Sequence, residues 1–282
     1  MGRLLRLKDY DRAIQSDNLD QIVSSNYNLL IDVEQAAQLT MTGHLSQRYK
    51  VAEIFNGIST YNSAVIYYGK NLVEYTETAF SASSSYSIGN RVVQNSKIYS
   101  ANTTITPAAF NAAQWTLICD DKLLFYITLP YPEYLNDTIY DVGTYVWFEN
   151  KVYQNKIKCT GIIPSNLAYW TFDSNHSVTN VLPTDATKWT QGDNRNQEIV
   201  QYLLDITLYN LHCRINPRNV PDLRKERFDG NEPQQRGGAI GWLKNVSAGK
   251  IFASLPEINP EQGLSINWGN ANGNNIATVN TY

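Results

Sequence analysis

The sequence predicts an α+β fold, and three observations predict it. Apolar residues recur at helical spacing near both ends of the chain, whereas residues 60–192 alternate apolar and polar between Asn, Gly, Ser and Pro clusters. The middle region also contains an internal repeat. Helix and strand patterns segregated along a chain in this way belong to α+β architectures. A chain of 282 residues, 43% hydrophobic and 17% charged, can bury a real core, and that composition excludes a disordered protein.

The elements follow in order. Lys8 to Ile14 and Asn18 to Val23 read as short helical turns. From Asp32, placed as an N-cap, Val33, Ala36, Ala37, Thr40, Met41, His44 and Leu45 recur at three- and four-residue steps, one face of an amphipathic helix. The strongest helical stripe starts near Asp193 or Asn194 and runs through Ile199, Tyr202, Leu203, Ile206, Tyr209 and Cys213. Pro217 stops it, and Pro221 suits the first turn of a short helix through Phe228. Ile240, Trp242, Leu243 and Val246 mark a last helix with Gly249 as its C′ residue. Helices are therefore expected over 30–49, 194–214 and 234–248, packed together despite their separation in sequence.

In the middle region Tyr86-Ser-Ile-Gly-Asn-Arg-Val aligns with Tyr140-Asp-Val-Gly-Thr-Tyr-Val, and Lys97-Ile-Tyr99 with Lys151-Val-Tyr153. Each copy then reaches a Trp-Thr: Trp115-Thr116 in the first, and either Trp170-Thr171 or Trp189-Thr190 in the second. The reading is two small β modules in tandem, about 86–118 and about 140–190, after a low-complexity bridge at 81–85. From Leu255 to Tyr282 the chain has three Gly, seven Asn and no helical period, and reads as an extended arm.

Catalytic signatures are lacking. There is no phosphate-binding GxxxxGK[ST], no GxGxxG after a strand, no HExxH and no GxSxG. His44, His176 and His212 read as structural, and adjacent His212 and Cys213 point about 100° apart on a helix. Cys119, Cys159 and Cys213 form no CxxC and are odd in number, so neither a disulfide framework nor a zinc site is expected, and the chain reads as made in a reducing compartment. No catalytic residue, metal ligand or cofactor is assigned. No apolar run is long enough to span a membrane, and MGRLLRLKDYDR has no signal-peptide core. A formal charge of −3 excludes a broad nucleic-acid grip. Arg214, Arg218, Arg224, Lys225, Arg227 and Arg236 alternate with Asp222, Glu226 and Asp229, a mixture that reads as a solvated or subunit-facing surface rather than a DNA stripe. Trp115, Trp147, Trp170 and Trp189 either stack on sugar rings or fill the small cores of the β modules.

The flanks resemble the head–tail connector (adaptor, or head-completion) proteins of tailed bacteriophages. The residues that carry the resemblance are Asp32, Ala36-Ala37 and Gln47-Arg48-Tyr49, then Asp193-Asn194-Arg195-Asn196, Tyr202-Leu203, Asp205-Ile206, Leu208-Tyr209, Arg214-Ile215, Val220-Pro221, Arg227-Phe228-Asp229, Trp242-Leu243 and Gly249. It covers roughly 1–60 and 190–255. The family joins its first long helix to its second by a short link; here about 130 residues intervene, and their repeats are similar to small carbohydrate-binding modules of the chitin-binding type. The organisation expected is a helical connector domain in two parts, 1–62 and 193–254, split by a β-rich insertion, 63–192, with an arm at 255–282.

The resemblance implies a structural virion protein, not an enzyme: a homo-oligomeric ring, typically of twelve subunits, below the portal at the head–tail junction, docking the next tail component while DNA passes through its channel without specific binding. Assembly would take place in the bacterial cytoplasm. Candidate contacts with the portal or a neighbour are Leu264, Ile266, Trp268 and Ile276 of the arm, with Arg214, Arg224 and Arg227. The alternative is a carbohydrate-binding virion decoration acting through the β modules and their four Trp. A sugar hydrolase would need two placed carboxylates, and no pair is nominated.

Overall fold

The computed structural model describes residues 3–24, 26–230 and 237–258, and within them helices and sheets coexist in an α+β fold. The helices are α1 (Leu7–Tyr10), α2 (Ser16–Val23), α3 (Tyr27–Leu45), α4 (Val51–Ile54), α5 (Gln197–Ile215), α6 (Asp222–Asp229) and α7 (Ala239–Ser247). Asn196, not Asp193 or Asn194, caps α5, its Oδ1 accepting from Glu198 N at 3.0 Å and Ile199 N at 3.1 Å. The two residues expected to cap are engaged elsewhere: Asp193 holds Arg195, and the Asn194 amide donates to Lys70 O at 3.0 Å. Gly249 follows α7 at φ +70°, as a C′ residue does.

Helix α3 begins at Tyr27, five residues before Asp32, and its buried face is Leu30, Val33, Glu34, Ala37, Gln38, Met41 and Leu45. Ala36 and Thr40, expected inside, are exposed, and His44 is half-buried. The face is rotated because Glu34 is drawn inward: its carboxylate accepts from Leu5 N and from Arg3 Nε, both at 3.1 Å. Leu4, Tyr10, Leu30, Met41 and Tyr49 share one hydrophobic core with Ile199, Leu203, Leu211, Leu243 and Leu255. Helical segments on both sides of the β region thus complete each other, each buried Leu contributing about 1.5–3 kcal/mol.

The strands are β1 (Ser59–Thr60), β2 (Leu72–Tyr75), β3 (Arg91–Gln94), β4 (Lys97–Ala101), β5 (Trp115–Asp120), β6 (Leu123–Tyr126), β7 (Tyr145–Phe148), β8 (Lys151–Asn155), β9 (Trp170–Phe172) and β10 (Thr190–Gln191). They form three sheets: β3-β4-β5, β7-β8-β9 and β1-β2-β6-β10. The first two lie in the stretches read as repeats, but the second ends at Phe172 rather than near residue 190. Each has a tight hairpin turn with two central residues at positive φ, Asn95-Ser96 and Glu149-Asn150, the type I′ geometry that matches strand twist.

The third sheet is a third copy of the same module, so the tandem of two becomes a nest of three. A tyrosine in each, Tyr67, Tyr86 and Tyr140, forms an antiparallel bridge to Val178, Ile105 and Cys159 respectively. Its ring stacks on Tyr61, Phe80 or Tyr134 at 5.4–5.8 Å, and its hydroxyl accepts from the next backbone N–H: Asn62, Ser81 or Leu135. A tryptophan meets that tyrosine edge-on at 5.2–5.4 Å: Trp189, Trp115 and Trp170 in turn. Four residues before each Trp, the side chain of Asp185, Asn111 or Asn166 accepts the backbone N–H two residues on. Trp170-Thr171 therefore closes the second repeat, and Trp189-Thr190 closes the third. That outer module is split in sequence. Strand β2 pairs antiparallel with β6, which pairs with β10; one inner module lies between β2 and β6, the other between β6 and Val178.

Candidate interaction surfaces

Arg195 ties the β region to the helices. It lies in the short link between β10 and α5, and its side chain is 3% exposed. All five of its N–H donors are used: Nε and Nη2 on Asp193 at 2.9 and 2.7 Å, Nη1 and Nη2 on Asp9 at 2.7 and 3.1 Å, and Nη1 also on Leu4 O at 2.6 Å. Burial opposes the charge on Asp193, but the Arg195 hydrogen bonds outweigh it and hold that carboxyl below its usual range. Beside this cluster lies a cleft of about 1080 Å³ between α1 and the β region, lined by cations (Arg3, Arg6, Lys122) and acids (Glu74, Asp120, Asp121) together. A lining of both signs gives no field that would select an anion or a cation.

The four tryptophans are buried, Trp115, Trp170 and Trp189 in the cores of their modules and Trp147 beneath the Lys70 ammonium. Trp115, Trp147, Trp170 and Trp189 are 5%, 8%, 0% and 2% exposed, so none offers a ring face to a sugar, which corrects their assignment to a binding surface. The indole N–H groups of Trp170 and Trp189 are consumed by Ile162 O and Val181 O at 2.9 and 3.0 Å. The physical reason is size: in so small a module a large ring fills much of the core, and the Tyr and Phe rings pack around it. The same burial pushes the Tyr134 phenol up to about 12.

The arginines divide. Arg214 stands in solvent at the end of α5. Arg224 is buried and donates Nη2 to Ala13 O at 2.7 Å; burial depresses its pKa, with Arg227 adding to the effect. Arg227 reaches Asp205 on α5 at 3.5 Å. Arg224 therefore holds α6 to the N-terminal segment, which corrects its assignment as a surface contact, whereas Arg227 pairs with α5 and keeps its side chain 39% exposed. His212 Nδ1 lies 2.7 Å from Leu208 O in its own helix, and His176 lies 3.6 Å from Asp173.

Leu264, Ile266, Trp268 and Ile276 lie outside the described residues. The approach to them is described: Glu257 forms an antiparallel bridge with Tyr49, Ile258 N donates to Arg48 O at 2.8 Å, and Arg48 lies over the Phe252 ring, which is 83% exposed.

The sequence pattern does not single out the individually exposed aliphatic side chains of the second inner module, Leu135, Ile139, Val142, Ile157, Ile163 and Leu167. The available signal was their place outside the aligned Tyr, Val and Trp core positions. Among the described residues no helix is long and apolar enough to cross a membrane, and no group of three His, Cys, Asp or Glu could hold a metal ion. No family model matches the chain, and no curated protein matches it.

Proposed function

We propose that the chain is a structural virion protein of a tailed phage, a connector that forms a ring below the portal and extends the DNA channel. The observation that carries the reading is the single core shared by α3, α5 and α7 across the β region. It gives the resemblance of the two flanks a common physical body: a helical unit that tolerates an insertion because the ends of the insertion meet it at one place. Arg195, Asp9 and Asp193 tie that meeting point. The formal charge of −3 suits a channel that DNA slides through rather than a surface that binds it. In this reading Leu264, Ile266, Trp268 and Ile276, outside the described residues, are candidate contacts with a neighbour or the portal.

The buried tryptophans weigh against the alternative of a sugar-binding decoration. The test is to mix the purified chain with portal rings of the same phage and examine the product by negative-stain electron microscopy. An added ring below the portal is expected. No association with portal, together with retention on chitin, would overturn the reading.

A further inference from the structure

Arg224 spends only part of its guanidinium on the fold. Its Nη2 donates to Ala13 O at 2.7 Å, whereas its Nη1 is buried without a hydrogen-bond partner. The residue is 8% exposed, and among the described residues it forms no ion pair. Asp205, whose charge favours the Arg224 cation, is engaged by Arg227 at 3.5 Å and by the Gln201 amide at 3.1 Å. A buried cation with no counter-charge is costly, and a carboxylate is the partner that relieves it.

Arg224 lines a groove of about 490 Å³ where the segment from Ala13 through α2 meets the end of α5 and the start of α6. Unlike the mixed cleft beside Arg195, this groove is lined by no acid: Arg224 and His212 are its only ionisable lining residues, and Gln15, Asn18 and Gln21 its neutral polar ones. Asp222, on the same helix as Arg224, lies outside the lining and pairs with Lys225 at 3.0 Å. No side chain caps α6, so its first-turn N–H groups, beside the groove, favour an anion as well. The walls are apolar, with Ile14 and Ile22 half-buried and Pro221 and Leu223 exposed, Leu223 at 55%. A cation held between aliphatic walls fits a ligand that carries a carboxylate beside a branched apolar group. A free carboxylate ion would leave those walls unused; an acidic residue next to a leucine in a protein uses both.

We infer that this groove binds an acidic segment of a partner protein. A Glu or Asp carboxylate of the segment accepts from Arg224 Nη1, and a neighbouring aliphatic side chain packs on Ile14, Ile22 and Leu223. Arg224 is thus the base of an inward site and not an outward-facing contact. Gln15 and Gln21, exposed at the rim, turn to admit the carboxylate. The inference is independent of the connector reading, because it names a ligand chemistry and not an assembly.

Titration of the isotope-labelled full chain with acetyl-Leu-Glu-Leu-amide, followed by nuclear magnetic resonance, tests it, with acetyl-Leu-Gln-Leu-amide and sodium acetate as comparison ligands. The Glu peptide should bind saturably and shift the amide signals of Ile14, Ile22 and Leu223. The Gln peptide should bind about tenfold more weakly, and acetate should leave those signals unmoved over the same range. Leu223→Asp places an acid in the groove at an exposed position and should abolish binding, with near-ultraviolet circular dichroism unchanged. Arg224→Lys keeps the charge without the planar fork and should shrink the preference for Glu over Gln. If that variant fails to fold, Leu223→Asp and the Gln peptide decide. Equal binding of the two peptides, Glu-peptide binding that survives Leu223→Asp, or no binding up to about 10 mM overturns the inference. Acetate binding as tightly as the Glu peptide overturns it too, by assigning the site to free carboxylates.

Discussion

Lys70 occupies in the outer module the backbone position that Gly89 occupies in the first inner module, at φ +62° against +86°. A left-handed conformation costs a side-chain-bearing residue roughly 1–2 kcal/mol. The position is nevertheless a lysine because its ammonium lies 3.7 Å from the centre of the Trp147 ring and 3.1 Å from Glu53. Lys70→Ala keeps the strain and loses both contacts, whereas Lys70→Gly loses the contacts and relieves the strain. Urea unfolding should therefore rank Lys70→Gly above Lys70→Ala by about 1 kcal/mol. Equal stability of the two would mean that the left-handed backbone is not what the position demands.

Glycines in the same family of turns should separate strain from crowding. At Gly89 and Gly143, φ is +86° and +89° and a Cβ would meet nothing within 4 Å. Gly89→Ala and Gly143→Ala should each cost about 1–2 kcal/mol through the backbone alone. Gly69 carries no such φ, but its added Cβ would collide with Leu129. Gly69→Ala should be rescued by Leu129→Ala, and a double-mutant cycle in thermal unfolding would show that coupling; Gly89→Ala should show none with Leu129→Ala.

Much of this was legible in the sequence, and the misses have physical causes. The Tyr86 and Tyr140 repeats were visible because glycine marks a positive-φ turn and valine marks the core. The outer module kept Tyr67, Val73 and Trp189 but replaced that glycine with Lys70, removing the strongest mark of the motif. Its strands are also scattered over 72–75, 123–126 and 190–191, so no window of ordinary length contains it. Helix α5 was found from its stripe. The buried face of α3 was misplaced because Glu34 and Gln38, polar by type, lie inside, and periodicity cannot see a carboxylate satisfied by the backbone of Leu5. The exposed aliphatics of the second inner module carry no motif and were found only in three dimensions.

Removing Arg195 should be the most damaging surface-neutral change at the junction. Arg195→Met leaves Asp9, 4% exposed at its side chain, without its cation. Breaking a buried pair in this way costs about 3–5 kcal/mol. Adding Asp9→Asn should return part of that loss, since an amide needs no counter-charge. A double variant as unstable as Arg195→Met alone, measured by urea midpoint, would argue that the lost bond to Leu4 O is the larger effect.

Two carboxyls give stability slopes of opposite sign with pH. Burial raises the Glu34 pKa above its ordinary 4.5, with Arg3 and the Leu5 N–H opposing. Between 4.5 and the raised value the folded state binds more protons than the unfolded one, so stability falls as pH rises through that window. Asp193 is held below its ordinary 3.8, so its contribution is complete above 3.8 and is lost as pH falls toward its lowered value. Relative to wild type, Glu34→Gln should therefore gain stability as pH rises above 4.5, and Asp193→Asn should close its deficit only below 3.8. Chemical denaturation from pH 3 to pH 7 reads both; parallel curves would refute the assignments.

The nesting of one module around two others also sets an order of events in time. Each inner module is a continuous stretch of chain whose pairings are close in sequence, so it can close as soon as it leaves the ribosome. The outer module cannot: Tyr67 waits for Val178, and β6 waits for β10, until both inner modules have been made. The helical core waits longer still, for α5. Pulse-labelling hydrogen exchange during refolding should accordingly protect Val92 and Val146 before Val73, and protect Leu203 last or together with it. The molecule is thus built from the inside outward, and its last-formed contacts are the ones that register that synthesis of the whole middle region is complete.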